Sequence, residues 1–170
     1  LALVRNSESD LLEIVRELVV SQLVVEESPD RFAFRHALTR AALYGEMLGR
    51  ERRTLHRAIG DTIERQHAEE LTTRAADLAY HFHAAEDWPK ALRYARLAGD
   101  HARALGSPQA TIEHADRAIT AAARIGESPP IDQLRQRALA RATLGQFAEA
   151  EADQLAVLAA ARAAGNQKAE

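Results

Sequence analysis

The stretch "DWPKALRYARLAGDHARALGSP", residues 87–108, carries its own start and stop signals. Asp87 is placed to cap a helix whose first turn contains Pro89, and Gly106 supplies the left-handed residue that ends it. Ser107-Pro108 repeats the start signal at once, so a second helix follows after almost no connection. Outward from here, Gly106, Gly126, Gly145 and Gly165 stand 20, 19 and 20 residues apart, and each is expected to close a helix. The punctuation predicts helices over 71–85, 88–105, 108–125, 131–144 and 147–164. Each would be roughly 22–27 Å long at about 1.5 Å per residue. Short links return each helix alongside the last, so the expected architecture is a stack of antiparallel helices. "GESPPI", residues 126–131, is the longest break in it.

Upstream the rhythm changes. In "RFAFRHALTRAALY", residues 31–44, Arg31 to Arg35 alternate with period two, and from His36 onward apolar residues fall at helical spacing. Residues 9–22 place Leu11, Ile14, Val15, Leu18 and Val19 on one helix face, with Ser9 or Asp10 as N-cap. Leu23 to Glu26, the turn formers Ser28-Pro29-Asp30, and Arg31 to Phe34 read as a short β-hairpin. A helix with Leu38, Ala41, Tyr44 and Leu48 on one face follows, then one with Leu55, Ile59 and Ile63, with Gly49 separating the two. Helix, hairpin and helix in this order form the second half of a winged-helix module.

Composition sets limits on function. The 170 residues are 46% apolar but only 5% aromatic, which suits close helix–helix contacts. A formal net charge of −3 gives no global field for nucleic acid or an acidic membrane. With no Cys, disulfides and thiolate catalysis are excluded. No run of about 18 apolar residues exists to span a bilayer. Leu1 is not an initiating Met, and we expect a segment of a longer, cytoplasmic protein.

Candidate chemistry is sparse. His81 and His83 in "YHFH" lie two apart, which points them to different sides of a helix, so no metal is expected there; His81 lies four after Asp77 and could pair with it. "RERRTLHR", residues 50–57, is the densest part of an arginine excess: residues 31–65 hold eight Arg against four acidic residues. Interleaved Glu46, Glu51 and Glu64 favour a solvated or interdomain helix face over a DNA-facing strip. Phe82 and Trp88 are candidate partner contacts, with core packing as the alternative at each. No phosphate-cradling glycine loop and no Ser/His/Asp constellation is legible, so these residues are not expected to be an enzyme.

Two resemblances organise these features. Residues 75–98 are similar to the tetratricopeptide pattern: Leu78, Ala79 and Phe82 fill packing positions, Trp88 opens the second helix, and Ala91 and Ala98 let helices approach. Residues 95–118 match less well, with Gly99 and Ala118 in place but Thr111 where a small apolar residue is usual; Phe147 and Ala150 match in the last pair. The pattern Phe32-x-Phe34-x-His36-x-Leu38 leading to Tyr44, then Arg52-x-x-Leu55-His56-x-x-Ile59, resembles the large bacterial STAND-type signal-transduction ATPases. These include LuxR-type transcriptional regulators and ATPase-coupled adenylate cyclases. The resemblance implies a mainly α fold: 1–48 as the C-terminal part of a winged-helix domain, 49–67 as a connecting helix, and 68–170 as tetratricopeptide-like repeats in an α-solenoid.

The same resemblance implies a division of labour. The repeats would bind a protein or a small inducer, and the winged helix would relay that event to an NTPase domain not among these residues. His36 would contact the phosphates of ADP or ATP bound in that domain; Ala37 stands where eukaryotic relatives carry Asp. For His36 the alternative is a helix-starting residue bonded to nearby backbone. Two other functions fit the same pattern: a nucleotide-independent interaction scaffold, and a DNA-binding winged helix with a dimerising helical tail.

Overall fold

The computed structural model describes residues 8–29 and 31–166. It is mainly helical: α1 (Glu8–Val20), a hairpin of β1 (Val24–Ser28) and β2 (Arg31–Phe34), then α2 (Ala37–Glu46), α3 (Gly49–Gln66), α4 (Ala75–Ala84), α5 (Trp88–Ala104), α6 (Pro108–Arg124), α7 (Ile131–Thr143) and α8 (Phe147–Asn166). The strands pair antiparallel with Val24 opposite Phe34 and Glu26 opposite Phe32, and a register irregularity follows before Ser28 meets Arg31. Asp30, expected in the turn, lies outside the described residues. Ser9 and Asp10 fall inside the first turn of α1 instead of capping it.

From α3 onward each helix packs on the next, and α4 also meets α6 while α5 meets α7, which makes a layered helical array. Gly106, Gly126 and Gly145 all adopt positive φ, at 67°, 75° and 76°. At the first of these, Ser107 N–H donates to the Ala102 carbonyl and Gly106 N–H to that of Arg103, the pair of bonds that satisfies a helix's last carbonyls. Glu86, with φ of 56°, closes α4 with the same pattern: Asp87 N–H to Phe82 and Glu86 N–H to His83. The periodic punctuation therefore has a member upstream of Gly106 that is not a glycine. It lacks the one expected at Gly165, because α8 runs through that residue to Asn166. Asp87 caps α5 by accepting from Lys90 N–H at 3.4 Å, whereas the Ser107 side chain makes no such bond.

Small residues bring the array together. Leu78, Ala79, Phe82, Ala91, Leu92, Tyr94, Ala95, Ala118, Ala121 and Ala122 form one buried cluster. Phe82 stacks on Tyr94 with ring centroids 5.6 Å apart, and Lys90 Nζ sits 4.6 Å over its other side. Gly60 lets α3 reach this ring, since a Cβ there would stand 2.9 Å from Phe82 carbons. His56 and Gly60 are the buried residues of α3, and of the expected face Ile63 packs against the core and Ile59 is half-buried, whereas Leu55 is exposed. Gly49 opens α3 as its first residue rather than separating two helices at a distance, and Leu48 N–H donates to Glu51 Oε2 at 2.8 Å to fix that start.

Two polar networks lock helices that apolar contact alone would leave free to slide. Lys90 Nζ lies 2.7 Å from both Asp61 and Glu64, and Tyr94 donates to Glu64. Burial and that bond push the Tyr94 hydroxyl up to about 12. Burial alone would raise Glu64, but the hydrogen bonds from Lys90 and Tyr94 outweigh it and hold the carboxyl below its usual range. At the other end, Asp153 on α8 is buried and takes Arg137 at 2.5 Å and Arg141 at 2.8 Å, while Arg137 also reaches Asp116 on α6.

Candidate functional site

Strand β2 ends at Phe34 and α2 begins at Ala37, so His36 occupies the joint with extended φ and ψ of −126° and 128°. Its carbonyl accepts from Thr39 N–H at 3.1 Å, which starts the helix, but its imidazole makes no capping bond. The ring is exposed. Next to it Phe32, Ala33, Phe34, Arg35, Ala37 and Arg40 surround an open hollow of about 680 Å³. Two guanidinium groups and two half-exposed phenyl rings therefore share this surface, which is lined by the chain neighbours of His36 on both sides, Arg35 and Ala37.

The other candidates separate. Phe82 has no exposed surface and belongs to the array's core, not to a docking face. Trp88 is half-buried: His83 meets its ring edge-on at 5.3 Å, and the Arg124 guanidinium lies 5.3 Å from its centroid. Burial first, then the charges of Arg117 and Arg124, hold the His83 imidazole below its ordinary value. His81 points the other way, toward α3, as a two-residue separation on a helix requires. Among the described residues no three His, Asp or Glu side chains gather closely enough to hold a metal ion.

His81 does not hydrogen-bond Asp77; that carboxylate pairs with Arg74 at 3.6 Å instead. His81 Nδ1 meets His56 Nδ1 at 3.0 Å, and His56 Nε2 meets the Tyr44 hydroxyl at 2.8 Å. Tyr80 closes the group, edge-on to His56 at 5.5 Å. This chain of three polar rings joins α2, α3 and α4, and it was not foreseen as a unit. Tyr44 and His56 stood out only as pattern markers. The available signal was a histidine three and seven residues before Ile59 and Ile63, on a stripe otherwise apolar.

Three of the four arginines of 50–57 contact groups of the chain itself, although Arg50, Arg53 and Arg57 are exposed. Arg52 lies 5.4 Å from the Tyr44 ring centroid and 3.4 Å from its carbonyl, Arg53 is 3.1 Å from Glu86, and Arg57 is 3.9 Å from Asp87. Among the described residues no helix is long and apolar enough to cross a membrane. No protein-family model, no curated protein and no solved structure matches this chain.

Proposed function

We propose that this chain is the regulatory segment of an ATP-dependent signalling protein of the STAND type, a transcriptional regulator. The tetratricopeptide-like array receives a protein or small inducer, and the helix–hairpin–helix unit, a partial winged helix, passes that event to an NTPase domain. The observation that carries the reading is the exposed imidazole of His36 at a strand-to-helix joint beside Arg35 and Arg40. A helix start favours anions, and a directed imidazole donor with two guanidinium groups nearby suits a polyphosphate. Burial of Leu78, Ala79, Phe82, Ala91 and Ala98 supports the repeat-like packing.

The test uses the complete gene product. His36→Ala is expected to speed ADP release by about tenfold, the loss of one charge-assisted contact, and to raise basal signalling. Unchanged ADP retention discards the nucleotide role. A second reading, an interaction scaffold without nucleotide, is favoured by the apolar side chains that α7 and α8 leave exposed, among them Leu139, Phe147, Leu155 and Leu158. A gene product without a G-x-x-x-x-G-K-[ST] loop would decide for it.

A further inference from the structure

The unit of α1, the hairpin and α2 meets the array through Tyr44. The Tyr44 hydroxyl hydrogen-bonds His56 Nε2, and its ring and carbonyl lie against Arg52. Behind it His56 is 5% exposed and holds His81 on α4. We propose that Tyr44, His56 and His81 form a proton-controlled latch that holds the hairpin unit on the array while both imidazoles are neutral and releases it as they take up protons. The latch follows from the geometry of the joint alone and stands whether or not the protein senses nucleotide.

The hydrogen-bond arithmetic is strict. A 3.0 Å contact between two Nδ1 atoms requires one to carry hydrogen and the other to be bare. If His56 donates to His81, its Nε2 is bare and accepts from Tyr44; if His81 donates, His56 Nε2–H donates to the Tyr44 oxygen. Both arrangements satisfy every partner. Two imidazolium rings would set N–H against N–H and break the contact.

A single added proton places a cation among enclosed rings. The groups facing it are Tyr44 from α2 and Tyr80, His81 and Asp77 from α4, while Arg52 of α3 lies on the Tyr44 ring. Asp77 attracts it at His81 but is shared with Arg74. Burial lowers His56, and burial followed by the His56 charge lowers His81, with Asp77 opposing. Release takes Tyr44 off His56 and relieves part of that burial, so the released state binds more protons and acid favours release.

The chain has no Cys, so dye pairs can be placed without background. Glu26→Cys on the hairpin and Ala104→Cys on α5, both exposed positions, report the joint by energy transfer; Ala104→Cys with Glu151→Cys on α8 reports the array. From pH 8 to about 7 the joint signal should be constant. Below about 6.5 the released fraction should rise by up to about tenfold per pH unit for each histidine, while the array signal holds. Tyr44→Phe, at a half-exposed ring, should raise release at pH 8 by about three- to tenfold. A joint signal flat from pH 8 to 5, or a Tyr44→Phe curve equal to that of the unsubstituted chain, overturns the latch. So does an array signal that falls with the joint. Nitrogen-15 spectra of the unsubstituted chain at pH 8 give an independent answer: one protonated and one bare Nδ1 support the pair, and two bare Nδ1 atoms refute it.

Discussion

Two parts of this chain carry apolar residues at the same helical spacing, and they dispose of them differently. Along α4 to α6 of the array the apolar stripes are closed by neighbours, and alanines at Ala79, Ala95, Ala115, Ala118, Ala121 and Ala122 reach complete burial. In the unit of α1, hairpin and α2, Val24 is the buried apolar residue among those described, α2 buries none, and Val20 and Leu38 are each 83% exposed. Periodicity shows that a face exists but not what covers it. A stripe becomes core only when a second element lies within reach, as α4 does for α3 through Gly60.

The comparison is tested most severely inside the array. Phe82→Ala removes a ring enclosed by Tyr94, Lys90 and Gly60, and is expected to cost about 3–5 kcal/mol in urea unfolding. Asp153→Ala should cost about 3 kcal/mol, because it leaves Arg141 without a carboxylate and Arg137 with Asp116 alone in a place with little water. A loss under 1 kcal/mol in either case would mean that the array is no better packed than the hairpin unit. Gly60→Ala pushes a methyl group into a ring already stacked on its far side; about 1–3 kcal/mol is expected, and no loss would show that α3 can withdraw from Phe82 without cost.

Acid should also weaken the array. Burial first, with Arg117 adding to it, holds both His83 and His114 below 6.5. Their contribution to stability is therefore complete above pH 6.5 and is lost as pH falls from there through the depressed folded-state values. The unfolding midpoint in urea should drop between pH 7 and 5. A midpoint constant over that range would mean that the folded chain binds protons as readily as the unfolded one.

How much could be read beforehand differs between the two parts for physical reasons. Helices α5 to α7 were legible almost to the residue, because Pro and Gly act through local backbone geometry that survives any packing. The stop of α4 was placed within one residue although Glu86, the left-handed residue there, is not a glycine, whereas its start fell at Ala75 instead of 71. Gly165 misled, since a glycine permits a left-handed turn without requiring one. The burial of Gly60 and the exposure of Leu55 on α3 were out of reach, as the contact that buries Gly60 is with Phe82, 22 positions beyond it. His36 was found because a change of period is local. The His56–His81 contact joins residues 25 apart and exists only once α3 lies on α4.

The smallest expected effect discriminates best between the two parts. Leu38→Ser on α2 replaces a side chain that is 83% exposed, so it should change stability by no more than about 0.5 kcal/mol and leave the array's unfolding untouched. If the cost exceeds about 1 kcal/mol, Leu38 is covered in solution, and a dependence of that cost on protein concentration would identify the cover as a second copy of the chain. If the cost is near zero at every concentration, the apolar face of α2 stands open in this chain. The contrast with the array is then one of missing neighbours rather than of poorer sequence, since Leu38, Ala41, Tyr44 and Leu48 repeat the three- and four-residue spacing that the array turns into core.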